Sequence, residues 1–369
     1  MTIKSSEIFD VMEEWAPGFL AYDWDNIGLQ TGSYQKQVKK VMITLDVLES
    51  VVDEAIERDI DLIIAHHPLL FKSLKKLDID DTKGRILQKL IQHDITVYAA
   101  HTNLDAADGG VNDMLCDSLG ITDRRILLPE YTEKLVKVVV YVPKTHANEV
   151  RNAISKSGAG HIGNYSHCTF QTAGQGTFMP LEGTNPYIGA ADELEFVEEM
   201  KIESIVPRTR LASVLNAINN SHPYEEPAYD IYPMENKGNT LGIGRIGKLE
   251  KDMSLQSFGE HIKKELDIKK LRITGDLSRK IQTAAILGGS GEKYWKKAFE
   301  MGADVYITGD MTFHAAQDAW QAGLSVIDPG HYAEKVMKKT TKEFLERHFP
   351  KTELEITVSE VNTDPFQFI

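Results

Sequence analysis

The chain has 369 residues, 42% of them apolar and 26% charged, with a formal charge of −14. That length allows a large core and favours two domains over one. The acidic balance argues against a binder of nucleic acid or of an anionic membrane, since both need a basic surface. Two cysteines, Cys116 and Cys168, can build neither a disulfide framework nor a four-thiolate zinc site. The start, MTIKSSEIFD, lacks the basic-then-apolar order of a secretory signal, and no apolar run approaches the roughly 20 residues of a membrane helix. The chain is therefore expected in the cytoplasm.

From Ile3 to Trp15, apolar Ile8, Phe9, Met12 and Trp15 recur at helical spacing, and Pro17-Gly18 ends the run. The loop AYDWDNIGLQTG follows, in which Asp23, Asp25 and Asn26 read as turn-formers. Val38 to Leu45 is predicted as a strand, Leu48 to Arg58 as a helix, Asp61 to Ala65 as a strand, Gly84 to Gln92 as a helix and Ile95 to Ala100 as a third strand. This alternation predicts a parallel sheet with right-handed crossovers.

Near Pro129 the rhythm changes. Leu135 to Val142 is predicted as a strand, Ala147 to Lys156 as a helix, and His161 to Thr177 as short antiparallel strands. Glu195 to Val206 is another strand region, Arg210 to Asn219 a helix, and Tyr229 to Tyr232 a closing strand. That order matches a ferredoxin-like α+β unit of about 100 residues. After Gly238 the α/β rhythm returns: helix Ser254 to Leu266, strands Leu271 to Thr274 and Ala284 to Leu287, helix Glu292 to Met301, strand Val305 to Thr308, a helix carrying His314, strand Ser325 to Ile327, and a helix from His331 to about His348. The two flanks read as halves of one mostly parallel sheet. The expected fold is an α/β domain made of residues 1–128 and 237–369, with an α+β domain inserted at 129–236.

The chemistry collects at strand ends. In Asp61 to Phe71, DLIIAHHPLLF, a short apolar run leads directly into His66 and His67, beyond the carboxyl end of a strand, where open α/β sheets place ligands. Adjacent side chains on extended chain diverge, and Pro68 biases His67 towards extended backbone. The pair therefore suits two metal ions better than chelation of one; the alternative is two ordinary histidines at a strand end. His101 with Asp105, Asp310 with His314, and His331 with Glu334 also stand just after strands. His331 and Glu334, three apart, share one face. Three imidazoles and two carboxylates form a nitrogen and oxygen set without thiolate, suited to Zn, Mn, Fe, Co or Ni. Five ligands over two ions leave positions open for water.

Gly288 to Gly291 could offer backbone N–H groups to a phosphate, but it lacks the Lys and Ser/Thr ending of a Walker loop and the spacing of a dinucleotide fingerprint. It reads as a tight strand-to-helix turn. His222, in HPYEEP, reads as a structural turn residue.

At these residues the sequence resembles the Nif-three-like proteins, also called GTP cyclohydrolase 1 type 2 homologues. The resemblance is carried by WDNIGLQTG (Trp24 to Gly32), IIAHHPLLF (Ile63 to Phe71), HTNLDAADGGVN (His101 to Asn112), YITGD (Tyr306 to Asp310) and GHYAEK (Gly330 to Lys335). The segment from about Pro129 to Asn236, with HPYEEPAYDI, resembles the PII-like or CutA-like insert of longer bacterial members. The resemblance implies that His66, His67, Asp105, His331 and Glu334 ligate two divalent ions per chain, zinc foremost. It also implies a toroidal, usually hexameric homo-oligomer with the metals facing an internal cavity.

Two functions compete at this point. In the first, a metal-dependent hydrolase, activated water attacks a carbon or phosphorus centre of a small nucleotide or phosphorylated substrate, such as C8 of the guanine ring of GTP. His101 and His314 are then the candidates for proton transfer. In the second, a metal-dependent binding or regulatory protein, the PII-like insert senses a ligand or docks a partner.

Overall fold

Lys40–Thr44, Leu62–Ala65 and Thr96–Ala99 are short strands buried almost throughout, so they read as unbroken apolar runs rather than as alternating ones. Their side chains still alternate between two cores. Met42, Ile63, Ala65 and Val97 pack with Val51, Val52 and Ala55 of helix Glu49–Glu57 and with Ile86, Leu87 and Leu90 of helix Thr82–Gln92. Val41, Ile43, Leu62, Ile64 and Tyr98 turn the other way, towards Ile8, Phe9 and Met12 of helix Ser5–Trp15. Helix Thr82–Gln92 begins two residues before its apolar pattern does, because the Asp81 carboxylate accepts the Gly84 N–H at 2.7 Å and caps it.

The computed structural model describes residues 3–350, 354–367 and 369. The chain divides into two units, residues 1–131 with 241–369, and residues 132–240. It passes from the first to the second within strand Ile121–Pro143 and returns within strand Tyr229–Ser254.

The first unit corrects one expectation. Its flanks do not complete a single sheet. Five strands form one sheet in the order Glu355–Val358, Lys40–Thr44, Leu62–Ala65, Thr96–Ala99, Gly28–Thr31, parallel except at Gly28–Thr31. A separate set holds Lys280–Ser290, Val305–Gly309 and Ser325–Asp328 in parallel, with Arg272–Thr274 and the later part of Tyr229–Ser254 antiparallel at either side. Hydrophobic period shows which face of a strand is buried but carries no label for its neighbour, so two sheets and one look alike along the chain. The last strand, Glu355–Val358, crosses over to pair with the first flank's sheet.

The second unit runs strand, helix Ala147–Lys156, strand Thr169–Phe178, strand Glu195–Pro207, helix Leu211–Ser221, strand. Val136, Val138, Val140 and Val142 alternate onto one face and pack with Val150 and Ile154 of the first helix and Val214 and Ile218 of the second. Among the described residues no helix is long and apolar enough to cross a membrane.

Candidate metal centre

Strand ends of both sheets in the first unit deliver the site. His66 and His67 follow Leu62–Ala65, His101 follows Thr96–Ala99, and Asp105 sits in the short helix Thr102–Ala106. His331 and Glu334 follow Ser325–Asp328, in a 3₁₀ turn spanning His331–Val336. The tighter turn matters. Side chains three apart eclipse one another in 3₁₀ geometry, which aligns His331 with Glu334. Gly289, at φ +63°, supplies the room: a Cβ there would lie 2.8 Å from Glu334 Oε1 and 3.3 Å from His331 Nε2. The Gly288 and Gly291 N–H groups already donate, to Asn112 and to Thr308.

Each of four imidazoles is anchored through Nδ1. His66 bonds the Ala100 carbonyl at 2.8 Å, His67 the Asp46 carboxylate at 2.7 Å, His101 the Asp25 carboxylate at 2.9 Å and His331 the Asp310 carboxylate at 2.7 Å. Such anchoring makes Nδ1 the donor and turns Nε2 into the site, the arrangement of metal-ligating histidines. Glu334 Oε2 lies 3.2 Å from both His67 Nε2 and His331 Nε2, and 3.9 Å from His66 Nε2. Asp105 Oδ1 lies 3.6 Å from His66 Nε2.

The donor atoms form three overlapping groups able to hold a metal ion: His66, Asp105 and Glu334; His67, His331 and Glu334; and His66, His67 and His101. Two independent features fit a cation. Four ligand atoms held tetrahedrally at about 2.1 Å from an ion stand roughly 3.4 Å apart, close to the separations here. His66 Nε2 and Asp105 Oδ1 are also buried without a hydrogen-bond partner, a costly arrangement that coordination would relieve.

Electrostatics follow the same division. Burial pushes the His66 imidazole down to about 3, so its neutral, ligating form prevails. Burial acts in the same direction on His67, but hydrogen bonds with Asp46 and Glu334 outweigh it and raise that ring to about 10. The Glu334 hydrogen bond, against some desolvation, raises His331 to about 9. Burial, reinforced by the Glu334 charge, lifts the Asp105 carboxyl well above its usual range. Glu334 goes the other way: desolvation opposes its charge, yet hydrogen bonds from His331 and His67 hold it well below the usual carboxylate range. Asp25 is desolvated too, and its bonds with His101 and Thr102 still bring it to about 2.

The structure gathers His66, His67, Asp105, His331 and Glu334, and adds His101 to them. His314 does not join. It lies exposed at the start of helix Phe313–Gln321, and Asp310, its neighbour in sequence, binds His331 instead. The anchoring role of three carboxylates is not legible in the sequence: Asp25 reads as a turn-former, Asp46 carries no motif, and Asp310 stands along the chain with His314 rather than with His331. Asp46 stands just beyond strand Lys40–Thr44, so the strand-end signal that marked His66 could have found it.

Beside His101 the loop residue Trp24 stands 57% exposed. Its ring lies 5.4 Å from Tyr22, 5.7 Å from Phe71 and 6.2 Å from His101, a rim of aromatic faces next to the candidate ligands.

Comparison with known proteins is consistent across the whole chain. The family model described as Duf34/NIF3 (NGG1p interacting factor 3) matches residues 3–365. A Halalkalibacterium halodurans protein called GTP cyclohydrolase 1 type 2 homolog is 50% identical over 364 residues, covering 98% of each chain. A Bacillus subtilis protein of the same name is 49% identical over 370 residues, covering 100% of this chain and 99% of the other. The crystal structure of a Bacillus cereus protein related to NIF3 superposes with a TM-score of 0.94 at 49% identity, covering 100% of this chain and 99% of that one. On this basis the chain belongs to the Duf34/NIF3 family.

Proposed function

We propose that this protein is a dinuclear metal-dependent hydrolase acting on a small nucleotide or phosphorylated substrate. One observation carries the reading: two three-residue ligand groups share a single carboxylate, Glu334. His66, Asp105 and Glu334 would hold one ion, and His67, His331 and Glu334 the other, with zinc the first choice for this nitrogen and oxygen set. Two divalent ions, when bound, supply Lewis acidity, a positive field that the acidic chain lacks, and a water of lowered pKa. The protein's own part is orientation and proton movement. His101, held through Nδ1 by Asp25, presents Nε2 beside His66 and His67, where it can take or return a proton. Trp24 and Phe71 offer ring faces on which a nucleobase would stack. The relatives' name, GTP cyclohydrolase 1 type 2 homolog, agrees with a purine nucleotide. We read residues 129–236, most of which fall in the second unit, as the PII/CutA-like insert.

The test compares metal-loaded wild type with Asp105→Ala for formate release from GTP and for phosphate release from nucleotides and simple phosphoesters. The variant should be at least about a hundredfold slower. Equal rates would assign the turnover to a contaminant and end this reading. Trp24→Ala should raise KM about tenfold for nucleotides, by loss of stacking, and leave ring-free phosphoesters unchanged. No turnover in a wild type shown to hold two ions would favour the binding-protein reading, which a cavity in the second unit also supports.

A further inference from the structure

A cavity of about 570 Å³ lies wholly within residues 132–240, remote in sequence from every ligand of the metal centre. Strand alternation creates it. Val140, Val142, Met200 and Ile202 turn towards the helices, so Tyr141, Glu199 and Lys201 must face the opposite side of the sheet. Lys201 pairs with Tyr141 on one neighbouring strand and with Thr172 on the other, while Glu199 pairs with Gly174, which gives the cavity a floor. Gly176 lies against it: a Cβ there would come within 2.2 Å of Glu199 Oε2, so a larger residue would displace that carboxylate from its present position.

The walls are aromatic. The Tyr224 ring lies 5.5 Å from Phe178 and 6.4 Å from Tyr187, and its hydroxyl donates to Glu199 Oε1 at 3.2 Å. Glu225 accepts the Asn185 N–H at 3.2 Å, tying the loop that carries Tyr187 to the wall, and Glu226 stands beside it. Three carboxylates thus face one ammonium, and that ammonium, Lys201 Nζ, is 3.3 Å from Glu203. Among the described residues no lysine or arginine forms an ion pair with Glu199, Glu225 or Glu226.

We propose that this cavity binds a small organic polyammonium ligand. Ring faces and unneutralised carboxylates attract cations together, the rings through their quadrupoles. An inorganic divalent ion fits less well. It needs its oxygens converged on one point, and these glutamates do not form a group close enough to hold an ion. Charges spread along an apolar body match carboxylates separated by aromatic walls. The proposal stands apart from the hydrolase reading.

The experiment titrates the full-length, metal-loaded chain with spermidine by calorimetry at physiological ionic strength. Saturable binding of one equivalent per chain is expected. Glu199→Gln, which keeps the acceptor for Tyr224, should weaken it about tenfold, and Tyr187→Ala, altering a side chain 54% exposed, should do the same without disturbing the fold. Glu346→Gln, on helix Met337–His348 in the first unit, should leave binding unchanged and so exclude a general attraction to an acidic protein. Absence of saturable binding, equal affinity in all four proteins, or displacement by equimolar Mg²⁺ would each overturn the proposal.

Discussion

Glu334 is the side chain that two of the three candidate ligand groups share. Its Oε2 atom is within 3.2 Å of two imidazoles that belong to one group and 3.9 Å from a third that belongs to the other. A shared ligand and a private one predict different stoichiometries. Glu334→Gln keeps the shape but replaces a carboxylate by a weak amide ligand, so bound metal should fall from about two ions per chain towards none. His331→Ala removes a ligand from one group only and should leave about one. Elemental analysis of metal-replete proteins separates the cases, and equal losses in the two variants would refute sharing. His67→Ala should also lower occupancy while the chain stays folded, because that ring lies at the rim of the site rather than in a core.

At the scale of elements, a helix end in the second unit offers a pH-dependent contact. His222 closes helix Leu211–Ser221, donates from Nε2 to the Tyr141 carbonyl at 2.9 Å, and accepts the Tyr224 N–H on Nδ1 at 3.0 Å. Burial holds the ring below its ordinary pKa, although the bond to Tyr141 opposes this. The sign follows. Below about pH 6.5 the unfolded chain takes up the proton more readily than the folded one, so this contribution is present above that pH and is lost as the pH falls through the folded value. Protonation of Nδ1 would also remove the acceptor for Tyr224. Hydrogen exchange at the Tyr224 amide, corrected for its intrinsic pH dependence, should therefore lose protection between about pH 7 and pH 5. His222→Asn should be less protected at neutral pH and show a shallower acid loss. A wild-type protection factor that does not change with pH would refute the assignment.

For the whole molecule, the surface of the first unit bears on assembly. Helix Phe313–Gln321 leaves Phe313 75% and Trp320 57% exposed, seven residues apart on one face and lining a common cavity of about 290 Å³ with Met311 and Ala316. Large aromatic side chains exposed together in this way are a feature of association sites. We propose self-association, in line with the hexamer that the family resemblance implies. Light scattering should give a mass of about 250 kDa for chains of 41.4 kDa, and Phe313→Ser with Trp320→Ser should shift it to a smaller species. A monomeric wild type, or an unchanged mass in the double variant, would place the interface elsewhere or remove it.

Local pattern carried most of the elements. Helix Ala147–Lys156 is found where its periodicity places it, and strand Leu62–Ala65 ends at the two histidines that its apolar run leads into. Period and capping are short-range properties, so they can be read from neighbours along the chain. The pairing of strands is long-range: Glu355–Val358 lies beside Lys40–Thr44, and nothing in either segment names the other. The same limit hid the anchors. Asp25 reaches His101 across 76 residues and Asp46 reaches His67 across 21, contacts that exist only once the strand ends converge. Gly289 read as part of a turn, and its role as space for Glu334 depends on a side chain 45 positions away. Sequence alone thus determined which residue types stand at strand ends and could bind a cation. Tertiary structure decided which carboxylate holds which imidazole, because hydrogen-bond partners are set by distance in space and not by separation along the chain.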